Sequence, residues 1–408
     1  MAAASFFRRW TAENDRILQA KSGELFMIAT PKKAILQTNP KASYLAYKSE
    51  IDAAIQRVLD SGFYILGEEV AAFEQEFADF IGVPYGVSVA NGTDALEIAL
   101  RACNVGAGDV VLTVSHTAVA TVAAIELVGA KPICIDIDPV TFTIDIDHLE
   151  AEIQYLQQSS ELGTLKAIIP VHLYGYPANM PAIMELAQRY GLYVIEDCAQ
   201  AHGAMLDHRK IGTWGDIAAF SLYPTKNLGA IGDAGIVVTQ REDLADRLKS
   251  LRQYGWRERY ISDIPGMNSR LDVLQAAILR VKLKYLNRDN QSRQTIAQTY
   301  TTQLAHLPVQ LPQVAENVSH VYHQYVIQVE QRDNLFNFLK QQGVGVAIHY
   351  PLPVHLQRAY QGRVSPHTGD LKTTEQLCQK ILSLPMHPFL TTEEVQTTIA
   401  ELSKWFKD

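Results

Sequence analysis

Between Gly86 and Thr239 the chain repeats one pattern: a short apolar run, a turn, then a stretch with helical spacing. The runs are Gly86–Val89, Asp109–Val114, Ile133–Asp136, Ala167–Val171, Tyr193–Ile195, Ile217–Leu222 and Gly235–Thr239. They are rich in Val and Ile and show no polar alternation. A strand of that kind is buried on both faces, so helices must cover the sheet above and below. The helical stretches between these runs are Ala95–Cys103, the segment after Ser115-His116-Thr117 up to Val128, 147–158 and Met180–Tyr190, and 241–252 follows the last run. The expectation is an α/β fold with a mostly parallel sheet. Ligands on such sheets lie beyond the carboxyl ends of the strands. Thr93, His116, His172, Asp197 and Gln200 all fall just past those ends, where one pocket can collect them.

The stretch from Glu196 to Lys226 carries the chemistry. Tyr193-Val194-Ile195 delivers the Asp197 carboxylate at a strand end, and the run Ile217–Leu222 leads to Lys226 in a loop flanked by Pro, Asn and Gly. An amine and a carboxylate so placed are what pyridoxal phosphate (PLP) needs. The lysine holds the aldehyde covalently, and the carboxylate keeps the pyridine nitrogen protonated so that the ring accepts electrons. A partly buried position near cationic neighbours or the cofactor's own charge would lower the lysine pKa toward neutrality. Taken alone, Lys226 is also compatible with a surface lysine, and Asp197 with a helix cap or metal ligand. No His/Asp/Glu set at ligand spacing surrounds Asp197, so no metal site is expected. Asn91-Gly92-Thr93-Asp94 breaks a strand and opens a helix. Gly92 allows close approach of a phosphate and the first-turn amides favour an anion, although a plain N-cap by Thr93 or Asp94 would read the same way. His349-Tyr350-Pro351-Leu352-Pro353-Val354-His355 is a proline-stiffened loop that reads as a substrate lip; a metal pair of His349 and His355 is the weaker reading. Cys198 reads as a small buried residue.

With 408 residues there is room for a large domain and a smaller partner. We divide the chain into an N-terminal extension (1–34), a large domain (35–255) and a small α+β domain (256–408). The extension contains Phe6-Phe7-Arg8-Arg9-Trp10; its acidic residues argue against a transit peptide, and Met27 is a plausible second start. Helices are expected over 44–61, 67–81, Leu271 to about Leu307, 332–342, 370–382 and 392–406, and strands over Tyr325–Val329 and Gly345–Ile348. A net charge of −8 without a basic run points away from nucleic acid and anionic membranes. No apolar run approaches a bilayer span. The four cysteines are scattered, which fits a reducing cytoplasm.

Four segments together resemble the sugar aminotransferase (DegT-type) family of fold-type I PLP enzymes: Asn91–Leu96, Glu196–Gly203, Phe220–Leu228 and Gly266–Leu271. The resemblance runs from about Ile35 to the C-terminus. It implies a large domain with a mostly parallel seven-stranded sheet sandwiched by helices, plus the smaller C-terminal α+β domain. It implies an aminotransferase that moves an amino group from L-glutamate to a 3- or 4-keto-6-deoxyhexose on a nucleoside diphosphate, dTDP foremost, in O-antigen or antibiotic sugar synthesis. Lys226 would bind the cofactor and move the proton. Asp197 would pair with the ring nitrogen and Gln200 with the ring oxygen. Gly92, Thr93 and Ser221 would hold the phosphate, with Asn268 reaching it from a second subunit of a homodimer. Where the family often has an aromatic residue this chain has Ala118, so His116 is the candidate for the ring face. His349, Tyr350, His355 and Tyr223 are the candidate sugar contacts. A PLP-dependent sugar dehydratase of the same fold typically has histidine at the lysine position, which Lys226 opposes. The resemblance also leaves room for a cyclitol aminotransferase or a non-catalytic regulatory relative.

Overall fold

The computed structural model describes residues 34–159 and 162–407; the predicted extension lies almost entirely outside them. The sheet has seven strands: β1 (Tyr85–Val89), β2 (Asp109–Val114), β3 (Lys131–Ile135), β4 (Thr164–Ile168), β5 (Tyr193–Asp197), β6 (Ile217–Ser221) and β7 (Gly235–Thr239). Their order is β1-β7-β6-β5-β4-β2-β3. From β6 across to β3 all neighbours are parallel. Only β7 is reversed, antiparallel to both β6 and β1. The inner residues of these strands are almost all buried, as their unbroken apolar sequences require.

The reversal of β7 matters for the site. A parallel neighbour would need a crossover helix between β6 and β7. An antiparallel one needs only a loop, which stays at the carboxyl end of β6 and carries Lys226. In the ladder Ser221 pairs with Gly235, and Gly235 pairs with Val89. The exits of β1 and β6 and the entry of β7 therefore meet at one spot.

Helices cover both faces. α3 (Glu68–Ile81) buries Val70, Phe73, Phe77 and Ile81 and stops at Gly82, whose φ of +98° favours glycine. Phe77 meets Phe220 edge to face at 5.1 Å. α4 (Gly92–Ala102) starts earlier than expected. Asn91 is its cap, accepting from the Asp94 amide at 2.9 Å, so neither Thr93 nor Asp94 takes that role.

Two long helical readings break. The stretch 44–61 splits at Tyr47 into α1 (Pro40–Ala46) and α2 (Lys48–Ser61), and 271–307 splits at Lys284–Tyr285 into α9 (Val273–Leu283) and α10 (Leu286–Leu304), α5 to α8 being Val119–Leu127, Ile146–Gln158, Met180–Tyr190 and Glu242–Leu251. The two breaks meet: Tyr47 and Tyr285 stack at 4.4 Å, and the Tyr47 hydroxyl donates to Asp289 at 2.6 Å. A pairing across the fold overrode helical periodicity that continues through both segments.

In the C-terminal part, β8 (Tyr325–Gln328) pairs with β9 (Ile381–Leu384). The predicted strand at 345–348 forms only an isolated bridge, Ala347 to Ser383. The helix expected over 370–382 ends at Lys380, because Ile381–Leu384 is the apolar strand that β8 needs. A core of its own, including Tyr300, Leu335, Leu384 and Leu402, lies under α10, α11 (Arg332–Gln341) and α13 (Thr392–Trp405), with α12 spanning Lys372–Lys380. Among the described residues no helix is long and apolar enough to cross a membrane.

Candidate active site

At the carboxyl end of the sheet lies a cavity of about 330 Å³, lined among others by Gly92, Thr93, Asp197, Gln200, Ser221, Tyr223 and Lys226. It gathers residues from β1, β5 and β6 that are far apart in the chain, as the meeting of strand ends requires. Two larger hollows lie elsewhere, of about 440 Å³ beside Asp145 and about 800 Å³ beside Trp256, and hold none of the predicted site residues.

Lys226 follows a turn closed by its own amide on the Tyr223 carbonyl at 2.8 Å. Burial lowers its pKa to about 8, with the charge of Asp197 acting the other way. Asp197 is buried, and burial raises its pKa. Opposing that, the Thr121 hydroxyl donates to Oδ2 at 2.8 Å and the Ala199 amide to Oδ1 at 3.1 Å, and Lys226 also favours the ionised form. A cationic ring nitrogen against this carboxylate would hold it ionised.

The turn at Gly92 is a close cradle. A Cβ there would stand 2.5 Å from Ser221 Cβ, and one at Gly235 would stand 2.3 Å from the Asn91 carbonyl. The first amides of α4, which a helix leaves without internal partners, open beside the Thr93 and Ser221 hydroxyls. Cradle, amine and carboxylate fit PLP. Gly92→Ala is therefore expected to push α4 off β6, weaken cofactor affinity by about tenfold or more, and lower the melting temperature. Titration of the cofactor-free variant with PLP, followed by absorbance, checks this; wild-type affinity would contradict the cradle.

The depressed pKa of Lys226 has a pH consequence. Between about pH 8 and the ordinary 10.5 the folded protein holds fewer protons at this amine than the unfolded chain. The contribution of this group to stability therefore rises with pH across that window, and its burial penalty is fully felt below it. Acylation of Lys226 in cofactor-free protein, followed by mass spectrometry, should inflect near pH 8. An inflection near the ordinary lysine value would refute the burial argument.

Other predicted residues lie off the cavity wall. His116 is buried with both ring nitrogens committed, Nε2 to the Tyr174 hydroxyl at 2.8 Å and Nδ1 to Cys378 at 3.4 Å. It is not placed to cover a ring face; Thr117 and Ala118 line the cavity instead. His355 is held by Ser115 at 2.7 Å and Glu375 at 3.0 Å, away from any shared site with His349. His349 bonds the Ser383 hydroxyl at 2.8 Å, and the charge of Lys226 adds to burial in lowering its pKa to about 4. The Tyr350 hydroxyl accepts from Gln200 Nε2 at 3.1 Å. Asn268 bridges to Gln253 outside the cavity. Its neighbour Ser269 ties that loop to the cradle, donating to Asp94 at 2.6 Å and accepting from the Ala90 amide at 3.0 Å.

Sequence reasoning missed Thr121, one helical turn past Thr117, and His323, which bonds Asn227 at 3.2 Å and feels the charge of Lys226. Neither stands in a local motif. His172, Glu196 and Cys198 cluster within 4.8 Å, all buried. The ligand atoms of His172 and Glu196 are spent, however. The Ala178 amide donates to His172 Nδ1 at 3.0 Å, which leaves Nε2 to donate to Glu196 at 3.2 Å. The Gly212, Trp214 and Gly215 amides fill the rest of that carboxylate. The cluster pins β5 to the following turns.

The fold and this cavity define a fold-type I PLP-dependent enzyme. Residues 46–403 match the DegT/DnrJ/EryC1/StrS aminotransferase family. The chain is 42% identical over 377 residues to the dTDP-3-amino-3,4,6-trideoxy-alpha-D-glucose transaminase of Streptomyces venezuelae, covering 92% of this chain and 97% of that one. It is 42% identical over 366 residues to the UDP-N-acetyl-3-dehydro-alpha-D-glucosamine 3-aminotransferase of Acidithiobacillus ferrooxidans, covering 90% and 96%. The crystal structure of NtdA from Bacillus subtilis with bound cofactor PMP superposes with a TM-score of 0.82 at 31% identity, covering 98% of this chain and 92% of that one. The chain belongs to the DegT/DnrJ/EryC1/StrS aminotransferase family. It is a PLP-dependent aminotransferase of the sugar-nucleotide class.

Proposed function

We propose that this enzyme transfers an amino group from L-glutamate to C3 of a keto-6-deoxyhexose carried on a nucleoside diphosphate, dTDP foremost. The observation that carries the reading is that Lys226, Asp197 and the Gly92–Thr93 cradle share one cavity. The names of both relatives above place the new amine on C3, one on a dTDP sugar and one on a UDP sugar, which favours C3 over C4. Glutamate is the donor that the family resemblance implies.

Bound PLP supplies the electron sink for the carbon that loses its proton. The residues do the rest. The Gly92 and Thr93 amides, with the Thr93 and Ser221 hydroxyls, hold the phosphate. Asp197 sets the charge at the ring nitrogen, and Gln200 donates to the ring oxygen. Lys226, with a pKa near operating pH, takes and returns a proton at Nζ. Tyr223, His349 and Tyr350 meet the sugar.

The working unit is a cytoplasmic homodimer in which Asn268 of the partner subunit completes the phosphate site. The hollow lined by Phe63, Ile65, Trp256 and Tyr260 supports this; Phe63 is 77% and Tyr260 72% exposed, an apolar surface of the kind that subunit contacts bury. The product would feed a surface polysaccharide such as O-antigen, or an antibiotic sugar.

The test is an assay with 3-keto and 4-keto dTDP- and UDP-sugars plus glutamate, with the aminated carbon read by NMR. Amination at C3 of a dTDP sugar supports the proposal; turnover only of 4-keto sugars, or of UDP sugars alone, overturns it.

A further inference from the structure

Tyr174 has no part in the roles above, yet it bonds Gln200 of the cavity wall and both His116 and His349 beyond it. It sits in the turn Leu173–Gly175, buried, with φ +60°. A non-glycine residue stays in that left-handed region only when its surroundings hold it there. Three hydrogen bonds do so. Its amide donates to Gln200 Oε1 at 2.7 Å. Its hydroxyl lies 2.8 Å from His116 Nε2. The same hydroxyl donates to the His349 carbonyl.

The direction of each bond follows from the groups. A carbonyl only accepts, so the one hydroxyl hydrogen of Tyr174 goes to His349. His116 Nε2 must then donate to that hydroxyl, which leaves Nδ1 to accept from the Cys378 thiol at 3.4 Å. The result is one ordered chain from Cys378 through His116 and Tyr174 to His349. On the other side, Gln200 spends its oxygen on Tyr174 and one amide hydrogen on Tyr350 at 3.1 Å. The Tyr174 amide thus fixes which end of the Gln200 carboxamide is oxygen, and Nε2 keeps one uncommitted hydrogen at the cavity that Gln200 lines.

We infer that Tyr174 is a positioning residue, which fixes Gln200 as a donor toward the cavity and pins the His349–Tyr350 segment beside it through a hydroxyl held by His116. That the pinned segment meets the sugar rests on the proposed function; the pinning does not.

The test uses full-length, cofactor-free protein. In Tyr174→Phe, amide exchange of the peptide covering 346–356 should rise roughly tenfold, about the worth of one net hydrogen bond, while the peptide over 92–102 keeps its rate. His116→Phe should give the same change, and the double variant no more than either single one. In the loaded enzyme KM for the keto-sugar should rise roughly tenfold with the cofactor absorbance unmoved. Unchanged exchange at 346–356 in both variants would overturn the inference. Faster exchange there with an unaltered KM would uphold the pin and count against the sugar role given to that segment.

Discussion

Lys226→Ala is expected to leave a folded protein that turns over about 10⁴-fold more slowly, or worse, because the proposed function gives one side chain both the covalent hold and the moving proton. The fold should survive. The amine sits at the end of a loop whose anchors are backbone bonds, Leu222 to Ala234 at 2.8 Å and Ala230 to Leu222 at 2.8 Å, which the substitution does not touch. Removing a buried cation whose pKa burial has already lowered also relieves a cost. The melting temperature of the cofactor-free variant should therefore equal or exceed the wild-type value. PLP should still bind through the cradle and Asp197, but hydride reduction should no longer fix it to the chain. Wild-type turnover in this variant would overturn the assignment of Lys226.

Asp197→Asn should lower kcat/KM by roughly 10² to 10³-fold, the usual loss when one fixed charge is removed from a site. Asparagine still offers an oxygen to the Thr121 hydroxyl, so the fold should hold. Asp197→Ala removes the acceptor of both Thr121 and the Ala199 amide. It should lose similar activity and also cost about 1–3 kcal/mol of stability for the stranded donors, less whatever the buried carboxylate cost. Denaturant melts separate the two variants. Full activity in Asp197→Asn would show that the charge is not needed.

Much of this was legible in the chain. Val- and Ile-rich runs without alternation can pack only between layers of helix, so the parallel sheet and its ligand-bearing edge followed. Lys226 and Asp197 were legible because a motif at a strand end has one place to go. What was hidden depends on contacts between distant segments. Nothing near Tyr47 or Tyr285 signals that each interrupts a helix, since the signal is the other ring. His116 stands at a strand exit like Thr93, and only the packing shows its ring turned toward Tyr174 and Cys378. Thr121 and His323 reach the site from positions without a motif.

The contact of Gly92 with Ser221, and of Gly235 with Asn91, has a consequence for how the enzyme acquires its cofactor. Strand ends from distant parts of the chain make this cradle, so the phosphate seat proposed for it would not exist before those ends have met. Capture of PLP thus reports completion of assembly, and its binding energy stabilises finished molecules alone, growing with the logarithm of vitamin supply. Cells short of pyridoxal should accumulate this enzyme in a less heat-resistant form.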